Sequence, residues 1–99
     1  MKSILIASEA AGGADEIADH IALDNPARAD SFLDEILERA LHIAECTRSF
    51  RLRPEIGPRL RAAKHGAYLI VFEEQPGHVR VLRILHGARE LRRVLRRNR

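Results

Sequence analysis

The sequence predicts an α+β fold in which an N-terminal strand and an antiparallel helical hairpin pack on a small, mainly antiparallel sheet. Apolar residues recur at helical spacing before residue 46, and short β-type runs separated by tight turns follow residue 58. The predicted element order is β-α-α-β-β-β with a short C-terminal helix. Residues 1–99 are expected to form a single domain, because so short a chain can close only one core.

The N-terminal part is predicted to contain a strand followed by a short helix. The apolar run at residues 4–6 lies too close to Gly12 and Gly13 for a helix, so residues 2–7 are interpreted as a buried strand. Helical spacing of apolar residues then begins at Ala14. Because each glycine costs roughly 1 kcal/mol of helix propensity, this first helix is expected to start late.

The second helix has the clearest pattern in the chain. Asn25 can cap its N-terminus, and Pro26 can take the first helical position, where a missing N–H is not needed. The tight junction between the two helices predicts an antiparallel hairpin that a sheet must cover. The apolar positions of the second helix are expected to form one buried face: Ala29, Phe32, Leu33, Ile36, Leu37, Ala40, Ile43 and Ala44.

The second half of the chain is predicted to supply most of the sheet. Residues 47–58 combine proline, glycine and arginine and are interpreted as an exposed basic loop. Strands in antiparallel succession are predicted at residues 59–64, 68–72 and 79–85, joined by short turns. Apolar residues at Leu91, Val94 and Leu95 indicate a short amphipathic C-terminal helix.

Charge is divided unevenly along the chain. Residues 1–46 hold ten acids and three bases, whereas residues 47–99 hold fourteen Lys or Arg and four Glu, so the net charges are −7 and +10. A basic surface attracts nucleic acid, anionic membrane or an acidic protein, and the sign of the charge does not choose among them. The simplest alternative is a solvated face rich in arginine.

The sequence does not predict an internal disulfide, a metal site or a membrane-spanning segment. Cys46 stands alone and is interpreted as a small buried hydrophobe, which fits a reducing cytoplasm. No apolar stretch approaches the roughly 20 residues that cross a bilayer, so no membrane role is expected. Five histidines share no ligand spacing, so neither a metal nor another cofactor is expected: His20, His42, His65, His78 and His86.

Three stretches carry a resemblance to a known family. The first covers residues 21–33 and begins IALDNP, the second covers residues 53–72 and ends HGAYLIVF, and the third is VLRILHGAREL at residues 81–91. With their mutual spacing they resemble the ParE/RelE toxin family of bacterial type II toxin–antitoxin systems. The run HGAR at residues 86–89 resembles the ParE branch. The chain departs from the family at Gly13-Ala14, where an Asp-Leu pair usually opens the first helix.

The resemblance implies a toxin that blocks DNA gyrase by binding, without catalytic residues, in the cytoplasm. It also implies a ParD-like ribbon-helix-helix antitoxin whose flexible segment wraps the toxin, so that operator DNA is touched only through the antitoxin. The residues expected to bind the target are Arg61, Arg83, His86 and Arg89.

Two other functions remain open. A RelE-like ribosome-dependent mRNA endonuclease would use Arg61, Arg83 and Arg89 for charge stabilisation and His86 as acid or base. No tyrosine follows Tyr68, which is itself more typical of the core, so the acid–base inventory is sparse. The other function is a co-repressor module that acts mainly within the antitoxin complex. Structural roles are the simplest alternative. The ring of His86 could form a hydrogen bond with the C-terminal tail, and the arginines could lie on a solvated face of the sheet.

Overall fold

Two helices cover one face of a four-stranded sheet in the computed structural model, which describes residues 3–87 and 91–93. The helices are α1 (Ser8–Ala22) and α2 (Pro26–Glu45). A 3₁₀ turn follows α2, and residues 91–93 are helical again. This order confirms the predicted α+β class. The strands are β1 (Ser3–Ile6), β2 (Leu60–His65), β3 (Tyr68–Gln75) and β4 (His78–His86).

The sheet has the strand order β1-β4-β3-β2. Strands β2, β3 and β4 are antiparallel, as predicted, whereas β1 is parallel to β4, and the helical hairpin carries the chain from β1 across the sheet to β2. The turn between β3 and β4 is shorter than the predicted strand limits of 72 and 79 imply, because β3 continues to Gln75, which pairs with His78. Gly77 closes this turn with φ of 81°, a conformation that side chains with a Cβ rarely adopt.

Strand β1 lies at the edge of the sheet, so the prediction that it is buried is wrong. Ile4 packs against the core, but Leu5 and Ile6 are 54% and 41% exposed. The strand order explains the difference, since β1 has β4 on one side and no strand on the other. A run of apolar residues predicts a strand without telling whether the strand is central or at an edge.

Helix α1 begins at Ser8, well before Ala14, so the expected late start is wrong. A Cβ at Gly13 would lie only 3.1 Å from the carbonyl oxygen of Ile84 in β4. The missing side chain therefore lets the helix approach the strand closely. Ala10, Ala14 and Ala18 continue this face of small buried residues. Packing of α1 against the sheet offsets the poor helix propensity of glycine.

The two glycines of α1 should respond differently to alanine. Nothing lies within 4 Å of a Cβ at Gly12, so Gly12→Ala should stabilise the chain by about 1 kcal/mol through helix propensity alone. Gly13→Ala should bring no such gain, because its methyl group meets the Ile84 carbonyl. Urea unfolding followed by circular dichroism measures both free energies. Equal stabilisation by the two changes would mean that α1 is not held tightly against β4.

Helix α2 begins as predicted, because Asn25 Oδ1 accepts a hydrogen bond from the Arg28 backbone N–H at 3.1 Å. The prediction that Leu33 and Leu37 lie on the buried face is wrong, because these side chains are 36% and 50% exposed. They lie beyond the arc of the helix that the sheet covers. None of the helices in the described part of the chain is long and apolar enough to cross a membrane. The residues that α2 buries are Ala29, Phe32, Ile36, Ala40, Ile43 and Ala44.

Apolar clusters lie on both faces of the sheet. The larger cluster lies between the sheet and the helices and includes Phe32 and Phe72, which are fully buried. The ring of Tyr68 meets Phe32 edge-on at 5.0 Å, consistent with the core role predicted for this tyrosine. The smaller cluster lies on the other face and consists of Ile56, Val71 and Leu85, with Leu60, Ala62, Leu69 and Leu91 packed against it.

Candidate partner-binding surface

Arg83 lies on the face of the sheet that carries Leu69, Val71 and Leu85 and that the helices do not cover, called the open face below. Its cross-strand neighbour is Val71, a member of the smaller apolar cluster. Cross-strand pairing places two further basic side chains on the same face, and all three are exposed: Lys64, Arg80 and Arg83. The open face is therefore a small apolar patch with three basic side chains around it and one carboxylate, that of Glu73, opposite Arg80.

A β-bulge aims Arg83 at the open face. The pairing of β3 with β4 shifts between Val71 and Phe72, so that Phe72 pairs with Val81 and Val71 with Arg83. Leu82 is thus the extra residue. Without the bulge, strict alternation after the buried Val81 would turn position 83 toward the helices. The bulge instead turns Arg83 outward, although the sequence carries no signal for it.

Arg83 forms no ion pair with any residue in the described ranges. Glu73, the nearest carboxylate along β3, accepts a hydrogen bond from the Gln75 side chain instead. Arg83 is exposed, and no residue in the described ranges pairs with its guanidinium group, which is therefore available to bind a partner molecule.

Arg61 faces the helices rather than the open face. Its cross-strand neighbour is Phe72, which lies in the larger cluster. Its Nη1 donates a hydrogen bond to the carbonyl oxygen of Phe50 at 2.5 Å, and the side chain is partly buried. Arg61 thus fastens the segment after α2 to the sheet, which is a structural role. The structure does not bring it together with Arg83.

His86 also lies on the helix side, at the end of β4. Its ring is 5.0 Å from the ring of Tyr68, with an angle of 32° between the two planes. It lines a cleft of about 300 Å³ together with Gly13, Glu16, Ile17, His20, Tyr68 and Ile84. Arg89, the fourth residue predicted at the site, lies outside the described residues.

The placement of these residues limits the chemistry that they can share. Cleavage of RNA needs a base, an acid and a charge-stabilising group around a single phosphate. Arg83 is on one face of the sheet, whereas Arg61 and His86 are on the other, so the three cannot contact one phosphate together. What the open face offers is a docking surface of apolar and cationic groups.

A groove of about 520 Å³ on this surface is lined by Arg53 and Lys64, which sequence reasoning did not single out. Arg53 is held in place because its backbone N–H bonds to the Leu60 carbonyl and its Nε donates to Glu55 Oε2 at 2.7 Å. Residues 47–58 had been predicted as a basic loop. Which of its arginines faces the groove depends on the bridge between Leu52 and Arg61, a contact that the sequence does not signal.

The hydrogen bond from Arg53 holds the pKa of Glu55 below its ordinary range, aided by the backbone N–H of Glu55. A lowered pKa in the folded chain means that the pair favours folding above the ordinary carboxylate pKa. This contribution is lost as pH falls through the lowered value. Arg53→Gln should therefore raise the pKa of Glu55 toward its ordinary range, measured by NMR titration of the side-chain carboxyl carbon. Arg51→Gln should raise it less, and an equal shift would contradict the role of the hydrogen bond.

Cys46 is half-buried, which corrects the prediction of a buried hydrophobe. Its thiol donates to the carbonyl oxygen of His42 at 3.3 Å, and its Sγ lies 3.6 Å from His42 Nε2. Among the other histidines, His65 Nε2 lies 3.6 Å from Glu35 Oε1. No group of three or more metal-ligating side chains occurs within residues 3–87 and 91–93.

Comparisons of the sequence and of the fold with known proteins point to the same protein family. The sequence profile described as "ParE toxin of type II toxin-antitoxin system, parDE" matches residues 4–91, which include both helices and, apart from Ser3, all four strands. No curated protein matches the chain. A chain from the solved structure "Chromosomal ParDE TA system from P. aeruginosa" shares the fold, with a TM-score of 0.74 and 22% identity over 88% of this chain and 97% of that one. This chain belongs to the ParE toxin family of type II toxin–antitoxin systems.

Proposed function

We propose that this chain inhibits DNA gyrase by binding it through the open face of the sheet, and that it does so without catalysis. The observation that carries the proposal is the exposed guanidinium of Arg83, aimed outward by a bulge and without an ion-pair partner in the described residues. Arginine beside an apolar patch is a frequent anchor of protein–protein interfaces. Arg80 adds charge next to it, and Arg89 is proposed to extend the same surface.

A ParD-like antitoxin is proposed to neutralise the toxin in the cytoplasm by direct binding. Its acidic, flexible segment would occupy the groove beside Arg53 and Lys64, folding as it binds. Because the groove and Arg83 share the open face, a segment bound there blocks approach of gyrase. Operator DNA is then contacted only through the antitoxin.

Binding is favoured over RNA cleavage by the separation of the candidate catalytic groups. Arg61 donates to the Phe50 carbonyl, and the ring of His86 lies against Tyr68, both on the side of the sheet away from Arg83. A shared acid–base site would require the strands to be rebuilt. Inhibition by docking needs only the surface that is present.

The test is a paired assay on the purified chain. One arm measures supercoiling of plasmid DNA by gyrase, and the other measures cleavage of mRNA on translating ribosomes. Loss of supercoiling with intact mRNA supports the proposal. Codon-positioned cuts with normal supercoiling would overturn it, and His86→Ala should then reduce cleavage by roughly 10²-fold. Neither activity, together with operator repression by the antitoxin complex, would assign the chain to the co-repressor class.

A further inference from the structure

The outer side of α2 carries a row of leucines that residues 3–87 and 91–93 leave partly exposed. Leu33, Leu37 and Leu41 follow one another at four-residue spacing and are 36%, 50% and 52% exposed. Residues at this spacing lie above one another on a helix, so they form a continuous strip, called the α2 stripe below. A single exposed leucine is ordinary, whereas a continuous apolar strip marks a surface that packs against another element.

A row of carboxylates lies directly beside the α2 stripe. At about 100° per residue, Asp30, Asp34 and Glu38 fall next to the leucines on the side away from the core. None of the three forms an ion pair within the described part of the chain. The arginines of α2 lie on another side of the helix, where Arg28 pairs with Glu35 at 2.6 Å. The stripe therefore has an uncompensated negative rim.

The chemistry of the α2 stripe excludes a second stripe as its natural partner. Two stripes packed together would bring their carboxylate rows side by side, and like charges across an interface are strongly disfavoured. The whole helical layer has the same sign, since residues 8–45 hold ten carboxylates and two arginines. A fitting occupant is apolar along its centre and positively charged at its edges.

The chain itself contains such a segment. Residues 91–97 read LRRVLRR, so that Val94 and Leu95 are flanked by arginines on both sides. The spacing of Leu91, Val94 and Leu95 predicts an amphipathic helix, of which residues 94–99 lie outside the described ranges. We call residues 92–97 the basic segment.

The basic segment follows a residue on the side of the sheet away from the α2 stripe of its own molecule. Leu91 packs on the open face against the cluster of Val71 and Leu85, whereas α2 covers the opposite face. Docking within one molecule would have to bring the segment around the sheet from one face to the other, whereas a second copy of the chain can present its basic segment to the stripe directly.

We propose that the chain self-associates by docking the basic segment of one copy on the α2 stripe of another. Apolar side chains of the segment cover the leucines, and its arginines pair with the carboxylate rim. If each of two copies donates its segment to the other, the two identical contacts close a symmetric dimer. Neither gyrase nor the antitoxin enters this contact, so it stands independently of the proposed function.

Two charge-reversed variants test the contact. Asp34→Lys with Glu38→Lys makes the rim of the stripe positive, and Arg96→Glu with Arg97→Glu makes the basic segment negative. Each variant alone sets like charges against each other at both contacts, so its self-association should weaken at least tenfold in sedimentation velocity. Mixing the two variants restores opposite charges at both contacts. The mixture should form a one-to-one heterodimer that neither variant forms by itself.

Leu23 provides a matched control for the apolar part of the contact. It is 80% exposed at the junction of the helices and lies off the stripe, so Leu23→Asp should leave the dimer intact, whereas Leu37→Asp should abolish it. An unchanged chain that is monomeric at every concentration overturns the proposal. So does a dimer that survives reversal of the basic segment, or a mixture of reversed variants that stays monomeric.

Discussion

Replacing Arg83 with alanine should weaken inhibition of gyrase supercoiling about thirtyfold, the loss expected when an arginine at the centre of an interface is truncated. Arg83 is exposed beside Val71 and has no ion-pair partner among the described residues. The change therefore removes a contact with the target without breaking one inside the chain. The measurement is the concentration of purified chain that halves plasmid supercoiling, with thermal unfolding to verify the folded state.

Arg28→Ala is the matched control for this prediction. Arg28 is an exposed arginine on the helical side, and its exposed ion pair with Glu35 adds little stability. Inhibition should stay unchanged. Adding Arg89→Ala to Arg83→Ala should relieve toxicity in cells while the antitoxin complex still forms. If Arg83→Ala abolished antitoxin binding and left gyrase inhibition intact, the residue would belong to the antitoxin site instead.

Replacing Phe32 with alanine should cost about 3–5 kcal/mol of unfolding free energy. Its ring is fully buried between α2 and the sheet and meets the ring of Tyr68 at 5.0 Å. Truncation leaves a cavity that the packed strands cannot close, and the loss is a large part of the roughly 5–15 kcal/mol by which a small domain is stable. Urea unfolding measures it directly.

The neighbouring Leu33→Ala serves as the comparison, because sequence reasoning assigned both residues to the same buried face. Leu33 is 36% exposed, so its truncation should cost about 1 kcal/mol or less. Losses of similar size at the two positions would show that α2 is rotated from the orientation described, with Leu33 turned into the core.

The helical hairpin and the three antiparallel strands could be predicted because their signals are local. Asn25 and Pro26 mark the start of α2 by cap chemistry, and the run from Tyr68 to Phe72 has the composition of a strand. Errors arose where a local rule met a contact distant in sequence. Gly13 has poor helix propensity, but it lies within α1 because β4 packs closely against it. Leu5 was expected to be buried, but it is exposed because β1 is an edge strand.

The candidate site was predicted by residue type but not by geometry. Resemblance to the ParE/RelE family directed attention to Arg61, Arg83, His86 and Arg89, and of the three in the described ranges, Arg83 alone lies on the open face. Arg53 and Lys64 were not anticipated there, because the groove that they line forms only when the loop after α2 bridges to β2.

The sequence by itself determined the order of the elements, the start of the second helix and the segregation of acidic from basic residues. These properties depend on caps, periodicity and composition, which act over a few neighbouring residues. Only the tertiary structure decided which side of the sheet each arginine faces. For Arg83 that choice depends on the bulge at Leu82, because a shift of one residue in register reverses the face of the side chains that follow it in β4.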